Sequence, residues 1–242
     1  MNNPYKLPIL TYHSIIKDAS EAGQHNIYVK QNVLRKQLQY VKKHNYETIT
    51  FRDIKDGKVT DFTNKIILTF DDGYEDNYTL LFPLLKEFNY KAVIFLVTQL
   101  NYNKWGVDEG EPNRKLLNQD EIIEMDRYGI EFGGHSRLHP DLHKVSTEQK
   151  MDEIKGSKLD IENLLQKTVI SFAYPFGAIS EEIKQITKDA GYTFGIATKS
   201  GPIDFHDDLF QIRRIEIASR TPHWVFKLKV SGYYLTRKYI LF

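Results

Sequence analysis

The 242-residue chain contains no cysteine. That absence removes disulfide frameworks, thiolate metal sites and cysteine nucleophiles together. It leaves the compartment open, because exported proteins can also lack cysteine. Charge of one sign is missing too: 33 basic and 32 acidic residues give a formal net charge of +1, so nothing global points to a nucleic-acid partner. No run approaches the ~18 apolar residues of a membrane span, and "MNNPYKLPILTYHSI" lacks the basic-then-apolar pattern of an export signal. Taken as written, the chain is expected to be cytoplasmic. G-x-G-x-x-G after the first strand and G-x-x-x-x-G-K-[ST] are both absent, which weakens nucleotide-binding readings. What is present is 41% hydrophobic and 27% charged, enough for a sizeable core under an ordinary surface.

Short β-branched runs alternate with longer amphipathic ones. Strand-like runs lie at 7–13, 65–72, 91–97, 129–136, 168–175 and 192–198, and their length and Val/Ile/Phe content favour buried strands. Helix-like stretches lie between them, at 31–45, 77–89, 118–129, 146–166 and 180–192. Ser146 with Glu148, and Ser180 ahead of Glu181 and Glu182, supply capping hydroxyls and first-turn acids. Gly129 and Gly191 stand where helices should stop. Repeated strand–helix–strand units predict a parallel sheet with helical crossovers, and their number favours an irregular α/β barrel over an open sheet. No linker or short repeat divides the chain, so one domain over 1–242 is expected, with a basic, aromatic segment from about residue 222.

The polar, Gly/Pro-bearing stretch 101–118 is long for a connection, which marks it as a functional loop or a disordered one. On a barrel it follows the third strand and hangs over the mouth, where Trp105 and Tyr102 suit stacking on a sugar face.

In parallel α/β folds the C-terminal strand ends converge on one face. Here they carry His13, Asp71 with Asp72, His135 with His139, and Tyr174-Pro175-Phe176. An isolated H-x-x-x-H is more often a pair of surface or capping histidines, and His143 reads as surface. Two adjacent aspartates change the balance. Two imidazoles and one carboxylate complete the three-ligand set of a catalytic zinc site, and the second carboxylate can act as base. A divalent cation would also remove the repulsion between the neighbouring carboxylates. The same ligand set fits non-haem iron, cobalt or manganese.

"TFDDG" at 69–73, "HSRLHP" at 135–140 and "FAYPFG" at 172–177, in that order, resemble the polysaccharide deacetylases of the NodB-homology type, carbohydrate esterase family 4. The resemblance spans roughly Leu7 to Ile217. It implies a distorted (β/α)₇-type barrel that hydrolyses acyl groups, usually acetyl, from sugars with a divalent metal, zinc first and Co²⁺, Mn²⁺, Fe²⁺ or Ni²⁺ as alternatives. By the same resemblance Asp71 is the general base, Asp72, His135 and His139 are metal ligands, Ser136 braces the histidine loop, and Phe176 offers a backbone N–H to an oxyanion. Tyr174 and Pro175 join Trp105 as substrate-binding candidates.

Two departures from the family pattern stand out. The third motif has Ala173 where an arginine often orients the catalytic aspartate, and a related branch takes that arginine from a later strand. "FQIRRIEI" offers Arg213 or Arg214, which point to opposite faces of a strand; Arg214 is favoured. The late Leu-x-His that supplies a general acid has no match. His223 lies in the right region in the wrong context, and His13 is the leading candidate for the acid.

The resulting expectation is a metal-dependent carbohydrate deacetylase acting on a glycan or a lipid-linked sugar. The alternatives are a deformylase of a lipid-linked amino sugar, an amidase on a small acylated amine, and an inactive glycan-binding module. The C-terminal run from Trp224 to Phe242 interleaves aromatics with Lys227, Lys229, Arg237 and Lys238. It reads as a terminal helix packed on the barrel or as an interfacial segment touching anionic membrane, which would put the protein at the cytoplasmic membrane surface.

Overall fold

Residues 7–202 and 204–231 are described by a computed structural model of the chain. All six strand-like runs form strands, trimmed at their ends: β1 (Ile9–Tyr12), β5 (Lys65–Phe70), β6 (Val93–Leu96), β7 (Glu131–Gly134), β8 (Ser171–Ala173) and β9 (Phe194–Ile196). A seventh, β10 (Ile215–Glu216), completes a parallel sheet in the order β10-β1-β5-β6-β7-β8-β9.

The sheet curls because its last segment serves both edges. Ile212 bridges to Ile196 on β9, with the Ala197 N–H donating to the Ile212 carbonyl at 2.8 Å, while Ile215 and Glu216 pair with Leu10 and Thr11 of β1. The architecture is thus a distorted (β/α)₇-type barrel.

Side chains alternate strictly along these strands. Ile9, Ile67, Val93, Phe95, Phe194, Ile196 and Ile212 pack together inside the curl. Their neighbours Leu10, Ile66, Leu68, Phe70, Ile94, Leu96 and Phe172 pack against the helices. Strands covered on both sides are what a continuous apolar run encodes. The same parity carries Thr11, Thr69 and Asp71 inward, in the row of Ile9 and Ile67.

Five crossover helices match the amphipathic stretches: α1 (Gln31–Lys43), α3 (Phe82–Phe88), α5 (Gln119–Tyr128), α6 (Thr147–Leu165) and α7 (Glu181–Asp189). Ser146 Oγ accepts the N–H of Gln149, and Ser180 Oγ that of Ile183, so both capping serines act as expected. Gly129 ends α5 with φ 111°.

The structure differs from the sequence reading in several places. The stretch 77–89 is not one α-helix: a π-helical turn over Asn77–Leu81 precedes α3, because Pro83 has no N–H to donate to residue 79. Three short strands, β2 (Ser14–Ile16), β3 (Tyr28–Lys30) and β4 (Glu47–Thr48), have no counterpart in the sequence reading; β2 pairs with β3, and β4 with β5. Two more short helices do not stand out either: α2 (Phe51–Lys55), capped by Thr50, and α4 (Lys104–Asp108). The 101–118 stretch is ordered around α4, with bridges from Tyr102 to Lys115 and from Leu116 to Tyr74. At the C-terminus α8 (His223–Val230) buries Phe226 and Val230. Arg237, Lys238 and the remainder of the aromatic run from residue 232 lie outside the described residues.

Candidate active site

One cleft of about 390 Å³ opens at the C-terminal strand ends. His13, Asp71, Asp72, Tyr74, Trp105, His135, His139, Tyr174 and Phe176 all line it. The strand-end residues singled out from the sequence therefore meet in one place, except Pro175, which is buried and is not among the lining residues.

Asp71 continues the inward row of β5. It meets Arg214, whose Nη1 lies 2.6 Å from Oδ1 and whose Nη2 lies 2.7 Å from Oδ2. Arg214 is itself fixed: Nε donates to the Ala197 carbonyl at 2.7 Å, Nη1 to Thr69 Oγ1 at 3.0 Å, and the guanidinium lies over the Phe95 ring. Arg213, one residue earlier, turns away and donates to the Gly201 carbonyl. Burial pushes the Asp71 carboxyl up, but the Arg214 charge and hydrogen bonds, with His135 and His13 beyond, outweigh it and hold the group below its ordinary value.

Asp72 turns the other way, through a left-handed backbone with φ 76°. Its Oδ1 lies 3.3 Å from His135 Nε2 and 3.4 Å from His139 Nε2. Burial raises the Asp72 carboxyl, yet the His135 hydrogen bond and the His139 and His13 charges hold it well below the carboxylate range. Burial drives His139 down to about 3, against the opposing pull of Asp72. For His135 the Asp72 and Asp71 carboxylates outweigh burial and raise it.

These three side chains fit a divalent cation. Their candidate ligand atoms lie within 4.8 Å of one another, and among the described residues no other His/Asp/Glu group meets that test. His135 Nδ1 lies 2.8 Å from the Ala173 carbonyl, which fixes the ring and aims Nε2 at Asp72. His139 Nδ1 is buried without a hydrogen-bond partner among the described residues. Two imidazole Nε2 atoms converging on one carboxylate oxygen form a donor set that a cation would complete in place of any proton they hold.

Backbone strain concentrates here. Asp72, Ser136, His139 and Phe176 have φ of 76°, 66°, 58° and 56°, whereas the other described non-glycine residues in that region are four asparagines and Gln166. Asparagine, and less readily aspartate and histidine, tolerate this conformation; for Ser136 and the bulky Phe176 it costs roughly 1–3 kcal/mol each, which is characteristic of sites held by their surroundings. Gly133, two residues before His135, leaves room that a side chain would fill: a Cβ there would lie 2.5 Å from the Phe95 ring and 2.8 Å from the Ser171 carbonyl.

Other candidates fall as follows. His13 Nε2 stands 3.9 Å from Asp71 Oδ2 at the cleft wall. Ser136 Oγ accepts the His139 N–H at 2.9 Å. Trp105 lays its indole against the His139 imidazole, with centroids 4.2 Å apart, so one indole face is covered by that ring. Phe176 meets His139 edge-on and exposes 54% of its surface. The Tyr174 hydroxyl is committed to the Phe210 carbonyl. His223 lies over Tyr40 and Phe226, away from the cleft lining, and His143 is exposed.

The sequence reading missed the second wall. Loop residues 18–27 fasten onto the α4 loop: Glu111 Oε1 accepts the His25 N–H at 2.7 Å, His25 Nε2 lies 3.3 Å from Glu109, and Arg114 donates to the Glu21 carbonyl. Lys199 and Glu216, paired at 2.5 Å, also line the cleft. Nothing local in those segments signals this; Tyr74, directly after the Asp-Asp-Gly, is the one neighbour that motif spacing could have found.

Comparison with known proteins agrees with this geometry. The family model for polysaccharide deacetylase matches residues 58–195. YxkH of Bacillus subtilis, assigned to the polysaccharide deacetylases, is 26% identical over 220 residues, covering 89% of this chain and 72% of its own. The poly-β-1,6-N-acetyl-D-glucosamine N-deacetylase of Staphylococcus aureus is 26% identical over 209 residues, covering 80% of this chain and 69% of its own. Among solved structures, the Streptococcus pyogenes deacetylase PplD in complex with acetate superposes with a TM-score of 0.79 at 27% identity, covering 95% of this chain and 100% of that one.

Proposed function

Because the chain belongs to the polysaccharide deacetylase family, we propose that it is a divalent-cation-dependent hydrolase that removes N-acetyl groups from glucosamine residues of a glycan. The observation that carries this reading is the convergence of Asp72, His135 and His139 beside the Asp71–Arg214 pair in one cleft. The acetyl group and the N-acetylglucosamine substrate class follow the N-deacetylase of Staphylococcus aureus and the acetate complex of PplD.

A divalent cation, zinc first, held by Asp72, His135 and His139 would polarise the acyl carbonyl and acidify a water. Asp71 takes the proton of the attacking water. Each of its oxygens gives one lone pair to Arg214 and keeps another, and the two-point contact holds the carboxylate ionised and its plane fixed. The water oxygen joins the acyl carbon, the C–N bond breaks, and the leaving nitrogen takes up a proton. His13, beside Asp71 at the wall, is assigned that delivery. Phe176 is assigned the oxyanion contact through its backbone N–H, which needs no particular side chain. Trp105 shields the His139 ring from water.

Mass-spectrometric detection of acetate and formate tests this reading. The zinc-loaded protein is run over N-acylated oligosaccharides, lipid-linked sugars and acylated polyamines beside Asp71→Asn. Acetate from the oligosaccharides, absent with Asp71→Asn, is expected. Formate from lipid-linked amino sugars, or release from polyamines alone, would replace the substrate assignment.

A peripheral membrane contact is the second element of the proposal. Trp224 and Leu228, one turn apart on α8, are 66% and 50% exposed, with Lys227 between them also exposed. Such a face suits an anionic headgroup boundary, and would hold the protein at the cytoplasmic membrane surface. Sedimentation with anionic vesicles is expected to be lost in Trp224→Ser/Leu228→Ser; equal partitioning would remove the idea.

A further inference from the structure

Glu153 is a buried carboxylate that the reaction does not use. It sits on the inward side of α6 and is 7% exposed. Its Oε2 accepts two consecutive backbone N–H groups, from Arg137 at 2.7 Å and from Leu138 at 2.9 Å. Those residues form the loop between His135 and His139. The next N–H, of His139, goes to Ser136 Oγ. The loop's carbonyls are held as well, Ser136 by the Thr98 N–H at 3.3 Å and Arg137 by the Gln99 N–H at 2.9 Å.

A second contact with the same helix fixes the Arg137 side chain. Its Nε and Nη2 each lie 3.1 Å from Asp160, and its Nη1 lies 2.9 Å from Asp152. Asp160 also accepts from Thr98 Oγ1 and Gln99 Nε2. The guanidinium lies across α6 where Gly156 leaves space: a Cβ at 156 would be 2.5 Å from Arg137 Nε and 2.6 Å from its Cδ. A glycine in the middle of a 19-residue helix is unfavourable for the helix alone, so its place here goes with that contact.

A carboxylate taken out of water needs strong donors, and a loop with Ser136 and His139 in left-handed backbone needs an external hold. Each supplies what the other lacks. We propose that Glu153 is a positioning residue for the metal site: from α6 it presets the His135–His139 loop so that both imidazoles face Asp72 before a cation arrives. This rests on the reading of Asp72, His135 and His139 as ligands. Outer partners of ligating side chains are commonly worth about 10–100-fold in metal affinity.

The test compares Glu153→Ala and Glu153→Gln with the unmodified chain by zinc calorimetry and by amide hydrogen exchange of the metal-free proteins. Glu153→Ala is expected to weaken zinc binding by about 10–100-fold and to speed exchange at Arg137 and Leu138. Glu153→Gln keeps an acceptor oxygen within reach of both N–H groups and should restore most of both. Faster exchange in Glu153→Ala with unchanged zinc affinity would make the contact purely structural and overturn the proposal. Should Glu153→Ala fail to fold, Glu153→Asp, which draws the carboxylate back from both N–H groups, must also weaken zinc binding; unchanged affinity there overturns it equally. An unmodified chain that binds no zinc, with exchange still responsive to Glu153→Ala, would refute the ligand assignment itself, and the proposal with it.

Discussion

Arg214 reaches Asp71 with both terminal nitrogens, at 2.6 and 2.7 Å, and the two buried side chains are 143 positions apart in sequence. The proposed base is therefore set by the segment that closes the barrel, and one contact links the chemistry to that closure.

Removing the guanidinium should damage both. Arg214→Met leaves a buried carboxylate without its partner, a change that typically destabilises by about 3–5 kcal/mol. Arg214→Lys keeps the charge but not the two-point geometry, so it should recover stability better than turnover. Urea unfolding beside acetate release would show the split; equal recovery of both would mean that geometry is unimportant.

His13 is expected to act on turnover and not on metal. His13→Gln should lower kcat by roughly 10²–10⁴-fold, the usual span for a positioned acid or base, with zinc affinity unchanged. A kcat within a factor of about two of the unmodified protein would remove it as the acid.

Stability should depend on pH through Asp76. Its Oδ1 accepts the Ile15 N–H at 2.9 Å and Asn77 Nδ2 at 2.8 Å, bracing the segment just after His13. Burial raises this carboxyl to about 7 against the pull of those hydrogen bonds and the Arg114 charge, with Glu21 adding to the rise. Between its ordinary value of 3.8 and about 7 the folded chain keeps a proton that the unfolded chain has lost. This contribution is therefore full in acid and disappears as pH rises through about 7. Asp76→Asn has no such proton to lose, so its stability relative to the unmodified chain should improve from about pH 5 to about pH 8. Parallel urea midpoints at the two values would contradict the assignment.

Packing around the histidine strand gives a fourth expectation. Gly133→Ala places a Cβ 2.5 Å from the Phe95 ring and should destabilise by about 1–3 kcal/mol, the usual range for overpacking. An unchanged melting temperature would show that β7 and β8 can separate at no cost.

Much of this site was legible in the sequence because it lies in short motifs at strand ends. Alternation along an extended segment lets only one of Arg213 and Arg214 face the site, and the structure turns Arg214 inward and Arg213 to Gly201. Ser146 and Ser180 announce their helices through local hydrogen bonds that the sequence spells out. What escaped depends on contacts between distant segments. Glu153 reads as one more acid on an amphipathic helix until the loop from 136 to 139 folds onto it. His25 and Glu111 meet across 86 positions, and three-residue strands such as β2 and β3 are too short to leave a period. Trp105 is at the mouth as expected, but its ring is set by His139, a neighbour that no spacing rule connects to it.

The central claim is that one cation at Asp72, His135 and His139 enables Asp71 to deacetylate a sugar. Its most direct test is the rate of acetate release from a β-1,6-linked N-acetylglucosamine oligomer as chelator-stripped protein is titrated with zinc. The account predicts no release at the start, a linear rise, and a plateau at one equivalent, with Asp71→Asn silent throughout. Release that is independent of added zinc, or undiminished in Asp71→Asn, would contradict it.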